Sequence, residues 1–188
     1  MQCVILIISL YYIIIMLLSL KIFFDILFFS KGPQDLPSSK SLLNLVILGN
    51  LLIGLISLNP DIDVTLNIFF AIIYIVVTSL FIKIALGIKD KNQGYNNSYS
   101  DRYVQVCAGT LGIHVLIGVI TTLITILFSS SGDMLIYLFV GLSLYAWFVN
   151  GHIFKNAFDT TMFFGLGISL LHSFACVFFM MLLLQLLI

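Results

Sequence analysis

Two histidines, His114 and His172, lie inside long apolar stretches of the chain. A polar side chain is costly in hydrocarbon, so such residues are the first candidates for function. Each stands roughly eleven residues from one end of a predicted membrane span, which places both rings ~16 Å deep. Two histidines at one depth could hold a haem b iron between them or relay a proton. The simpler role for each is one hydrogen bond to a neighbouring helix.

Two asparagines, Asn50 and Asn67, also lie in or at the ends of apolar stretches. A side-chain amide can join two helices of a bundle for ~1 kcal/mol or less. With His114, the two amides could instead line one polar path, which is what a small transporter or channel needs. The sequence leaves both interpretations open.

A third polar group stands near a predicted membrane surface. His152, Lys155 and Asp159 are spaced by three and four residues, so on a helix they share one face. That face could meet lipid headgroups or a protein partner. The alternative, which we favour, is a solvated interfacial turn.

The sequence offers no convincing catalytic group. Ser143 in one apolar stretch and His172 in the next faintly resemble the Ser/His dyad of rhomboid proteases, but Leu144 stands where that family has a small residue. The apolar stretches contain no pair of carboxylates, and no Gly-rich phosphate loop is present. The cysteines have no spacing typical of a metal site. We therefore predict a non-enzymatic protein without catalytic residues, bound metal or cofactor.

The composition determines which elements must position these residues. Of 188 residues, 61% are hydrophobic and 9% charged, against roughly 25% charged in a soluble domain. Lipid must therefore solvate most of the surface, and we find no basic patch for nucleic acid. The sequence predicts an all-α, polytopic transmembrane helix bundle, a single domain over residues 1–188. Its approximately six spans lie at about 4–29, 42–58, 64–88, 103–128, 134–149 and 161–188.

The positive charges predict an orientation. All eight Lys and Arg residues fall near the connections that follow the first, third and fifth spans. By the positive-inside rule that side is cytoplasmic, and both termini are non-cytoplasmic. A five-span arrangement, in which the second and third segments form a re-entrant pair, would scatter these charges over both sides.

Two short motifs carry a family resemblance. The segment GPQDLP at residues 32–37 follows the first span, and GHIFKNAF at residues 151–158 follows Trp147 before the last span. With these motifs the chain resembles a family of small proteobacterial inner-membrane proteins that are distantly similar to the Yip-type multispan proteins. The resemblance implies a membrane scaffold or trafficking-like role, and it assigns no functional residues.

Together these observations predict a scaffold or membrane-complex subunit in a bacterial inner membrane. Its expected partners are the lipid bilayer and membrane proteins or further copies of itself, with docking surfaces in the connections around Pro33 and Tyr95. The alternatives are a b-type haem-binding subunit that uses His114 and His172, and a small transporter or channel.

Overall fold

A computed structural model describes residues 16–56, 64–93, 98–128 and 132–187. The chain is all-α, as predicted: about 90% is helical, and the described residues form no strand. Helix α1 covers residues 16–27 of the described part. The other helices are α2 (Lys40–Leu55), α3 (Val64–Gln93), α4 (Tyr103–Phe128), α5 (Gly132–Ala157) and α6 (Met162–Leu187).

Helices α3 to α6 are each long and apolar enough to cross a membrane, and α2 is a shorter apolar helix of 16 residues. A membrane helix satisfies its own backbone hydrogen bonds, which is why so apolar a chain folds almost entirely as helix. Four such helices indicate an integral membrane protein of several spans. The predicted segments 4–15 and 57–63 lie outside the described residues.

Two helices extend beyond the predicted spans. Helix α3 continues from 88 to Gln93, and α5 continues from 149 to Ala157. The extension of α5 carries polar residues, but it is buried: Ile153 and Phe154 are fully enclosed, and His152 is only 8% exposed. Residues 150–157 therefore belong to the helical bundle and do not form a solvated turn.

The tightest packing lies at one end of the bundle. There the last turns of α1, the second half of α3, the first half of α4 and the end of α5 meet. Their fully buried side chains include Ile26, Ile82, Leu86, Val106, Cys107, Leu111, Ile113, Val149, Ile153 and Phe154.

Three connections pack against each other at this same end. The Arg102 guanidinium, from the connection before α4, lies 2.8 Å from the Asp159 carboxylate between α5 and α6. The Gln105 amide donates to the Leu36 carbonyl at 2.6 Å, which joins α4 to the α1–α2 connection. In that connection Pro33 is buried against Gly109 of α4. Pro33 is thus internal, whereas Gln34 and Asp35 beside it are exposed, so a docking surface in this connection stays a prediction. Tyr95 lies outside the described residues.

Helices α5 and α6 approach most closely at two glycines. A Cβ atom added to Gly165 would lie 2.2 Å from the Gly151 carbonyl oxygen and 2.8 Å from the Lys155 backbone nitrogen. Close approach through small residues is a common way for membrane helices to associate. The Trp147 indole N–H donates across the same contact to the Leu166 carbonyl at 3.1 Å.

Candidate functional site: a polar cavity between the helices

A cavity of about 670 Å³ lies between helices α2 to α6. The three residues predicted to share a polar path all line it: Asn50 from α2, Asn67 from α3 and His114 from α4. The other polar lining residues, which were not predicted from the sequence, are Tyr74, Thr121, Thr122 and Thr125.

The position of the lining along each helix shows where the cavity lies. Asn67 is in the first turn of α3, and Thr125 is in the last turn of α4. His114 lies near the middle of α4. The cavity thus extends inward from the end opposite the three packed connections and reaches the His114 region, beyond which Leu111 and Cys107 are fully buried.

Asn50 fixes the orientation of His114. The Asn50 amide nitrogen donates both hydrogens, to the Val46 carbonyl at 2.7 Å and to the Leu111 carbonyl at 3.0 Å. Its oxygen therefore faces Nδ1 of His114, at 2.7 Å. Because an amide oxygen only accepts, Nδ1 must carry the hydrogen. In the neutral ring, Nε2 is then a bare acceptor.

Tyr74 stands between the two intramembrane histidines. Its ring stacks on His114 with centroids 3.9 Å apart, and it meets the edge of His172 at 6.0 Å. His172 itself is 3% exposed and does not line the cavity. Its Nε2 lies 2.9 Å from the Thr78 hydroxyl and 3.5 Å from the Cys176 sulfur. The two predicted histidines are therefore neighbours with different environments.

This geometry does not suit a haem held between the pair. An iron with two histidine ligands needs a ring nitrogen of each to point to one metal position. Nε2 of His172 faces Thr78 instead, and the Tyr74 ring covers a face of His114. Within the described residues no group of three His, Cys, Asp or Glu side chains could hold a metal ion.

The three residues of the predicted interfacial cluster have different surroundings. His152 points inward, and its Nε2 lies 2.9 Å from the Lys31 carbonyl oxygen. Asp159, after the end of α5, has a left-handed backbone (φ 49°) and pairs with Arg102. Lys155 remains helical near Gly165. His152 and Asp159 thus each bond to a different connection at the packed end.

A spacing in the sequence could have revealed the missed threonines. Thr121 and Thr125 are four residues apart, and Thr121 follows His114 by seven, so all three lie on one face of a helix. Tyr74 gave no such signal, because aromatic residues are frequent throughout the apolar stretches.

The fold and the cavity define a class, the polytopic α-helical membrane proteins. No protein family, curated protein or solved structure matches the chain. The Yip-type resemblance, the scaffold role and the absence of catalysis therefore stay predictions.

Proposed function

We propose that this protein binds a small polar solute in the cavity and carries it through the membrane. The observation that supports this is the lining itself: seven polar side chains surround one cavity inside helices that are predominantly apolar. Polar groups in a membrane face a bundle interior or a water-filled space, because exposure to lipid is costly. A site of about 670 Å³ is in the range of small-molecule pockets.

The closed end of the cavity favours a carrier over an open channel. A channel needs a continuous polar path, but the residues beyond His114 are fully buried and mostly apolar, among them Leu111, Ile82 and Leu86. A carrier exposes its site to one side at a time, with the site near the middle of the membrane. The geometry fits a state open to one side.

We further propose six spans, with both termini non-cytoplasmic, in a bacterial inner membrane. The packed end supports this orientation, because the connections that carry the predicted positive-inside charges meet there, as Arg102 and Lys31 illustrate. The cavity would then open on the non-cytoplasmic side.

The orientation predicts a labelling pattern. In a chain whose native cysteines are replaced by alanine, Ser98→Cys should resist a membrane-impermeant maleimide in intact cells. The same cysteine should react fully after the cells are permeabilised, because Ser98 is exposed at the packed end. Labelling of Ser98→Cys in intact cells would overturn the proposed orientation.

The cavity predicts a second labelling pattern in the same background. Thr125→Cys, which lines the cavity near its outer end, should react from outside with a small charged methanethiosulfonate reagent. Thr110→Cys is the matched control on the same helix, because Thr110 is fully buried and should stay unlabelled. Equal, negligible labelling at both positions would show that no aqueous cavity exists, and the proposed function would fail.

A further inference from the structure

Three side chains that line the cavity donate their hydrogens to other groups of the protein, so they face the cavity as hydrogen-bond acceptors. Nδ1 of His114 donates to Asn50, and no group among the described residues bonds to Nε2. The Thr121 hydroxyl donates to the Ile117 carbonyl at 2.8 Å, and Thr125 donates to the Thr121 carbonyl at 3.0 Å. Each of the three side chains therefore has only lone pairs to offer a ligand.

The rest of the lining is uncharged and partly aromatic. The rings of Phe70, Tyr74 and Phe139 contribute to the wall, and no Lys, Arg or Asp side chain is among the lining residues. Aromatic faces attract cations, most strongly where water is excluded. The Asn67 amide and the Thr122 and Tyr74 hydroxyls can also donate, but an anion would meet no positive charge here. The wall therefore complements a ligand with several donors, a positive charge and some apolar surface.

We propose that the ligand is a small primary alkylammonium compound. Its N–H groups would donate to Nε2 of His114 and to the hydroxyl oxygens of Thr121 and Thr125. Its alkyl part would lie against Phe70 and Phe139. This proposal rests on the proposed function and narrows it to one chemical class, in which the neutral, Nδ1-protonated His114 is the central acceptor.

The test uses the purified full chain in detergent at pH 8, where His114 is neutral, with binding measured by calorimetry. The probes are n-butylammonium and three comparators: 1-pentanol of similar shape, tetramethylammonium without N–H donors, and butyrate of opposite charge. We expect n-butylammonium to bind most tightly. Losing a hydrogen bond to a charged group costs roughly tenfold or more in affinity, so tetramethylammonium should bind at least that much more weakly.

Two variants test whether His114 and Thr121 contact the bound n-butylammonium. His114→Phe keeps a ring that can stack on Tyr74 but removes Nε2, and it should weaken n-butylammonium binding by roughly tenfold or more. Thr121→Val replaces threonine by a residue of nearly the same shape and should weaken n-butylammonium binding several-fold. It provides a second test if His114→Phe does not fold. Ser143→Ala is the control: Ser143 lies in a groove between α5 and α6 and does not line the cavity, so this variant should leave affinity unchanged.

The outcomes distinguish failure of the ammonium proposal from failure of the proposed solute cavity. If pentanol or butyrate binds as tightly as n-butylammonium, or if folded His114→Phe and Thr121→Val both bind normally, the ammonium proposal is wrong. The solute cavity would still stand, provided that Thr125→Cys reacts from outside. If no probe binds and Thr125→Cys is inert, both proposals fail.

Discussion

Alanine in place of Gly165 should disrupt the packing of α5 against α6 and strongly lower the stability of the whole protein. The added Cβ would lie 2.2 Å from the Gly151 carbonyl oxygen and within 2.8 Å of the Lys155 nitrogen. Both obstacles are backbone atoms, so no side-chain rotation can relieve the clash. Overpacking typically costs 1–3 kcal/mol, and we expect about 3 kcal/mol here because the helices themselves must separate.

Gly167→Ala is the matched control. It lies on the same helix, and an added Cβ would meet nothing within 4 Å, so its melting temperature should stay within about 2 °C of the parent. Gly165→Ala should melt roughly 10 °C lower in the same detergent. Fluorescence-detected size-exclusion chromatography after heating measures both. Equal melting temperatures would mean that α5 and α6 do not cross at Gly151 and Gly165.

Replacing Asn50 by leucine should affect stability and binding together. Leucine is similar in size but removes two hydrogen bonds to carbonyl oxygens and the acceptor for Nδ1 of His114. Two of these three bonds join different helices, and such bonds are worth about 0.6 kcal/mol each on average, so the loss of stability should be about 1 kcal/mol. His114 also loses the group that fixes its tautomer, so n-butylammonium binding should fall roughly tenfold.

Asn44→Leu provides the comparison on the same helix. Asn44 is exposed and is not a cavity residue, so the stability of this variant and its affinity for n-butylammonium should both stay near the parent values. The double variant Asn50→Leu/His114→Phe should lose less affinity than the sum of the single variants, because both act on one contact. Additive losses would show that Asn50 does not act through His114.

The class of fold was predictable from composition. With 61% hydrophobic residues and 9% charged, the chain must be solvated by lipid, and in lipid helices satisfy their own backbone. The ends of some helices could also be predicted from the sequence. Ser39 caps α2 by accepting from the Leu42 N–H at 3.4 Å, and α4 has the predicted bounds, Tyr103–Phe128. Each of these features depends on neighbours in the chain.

The pairing of helix faces was decided by the tertiary structure. These helices are apolar on nearly all sides, so no amphipathic pattern marks which face meets which partner. Polar residues such as Asn50, Asn67 and His114 could be identified as candidates, because a charged or unpaired polar group in hydrocarbon is costly wherever it occurs. Their convergence on one cavity, and the separation of His172 from it by Tyr74, depend on contacts between residues distant in sequence.

His152 also shows the difference between what the sequence predicts and what the tertiary structure determines. The spacing of His152, Lys155 and Asp159 predicted a shared face, because three- and four-residue intervals align side chains on a helix. In the fold, α5 continues to Ala157 and turns His152 toward the Lys31 carbonyl, while Asp159 pairs with Arg102. The sequence by itself determined the membrane class, the local helix signals and the costly polar residues. Only the packing of one helix on another determined which of those residues face a cavity and which hold the bundle together.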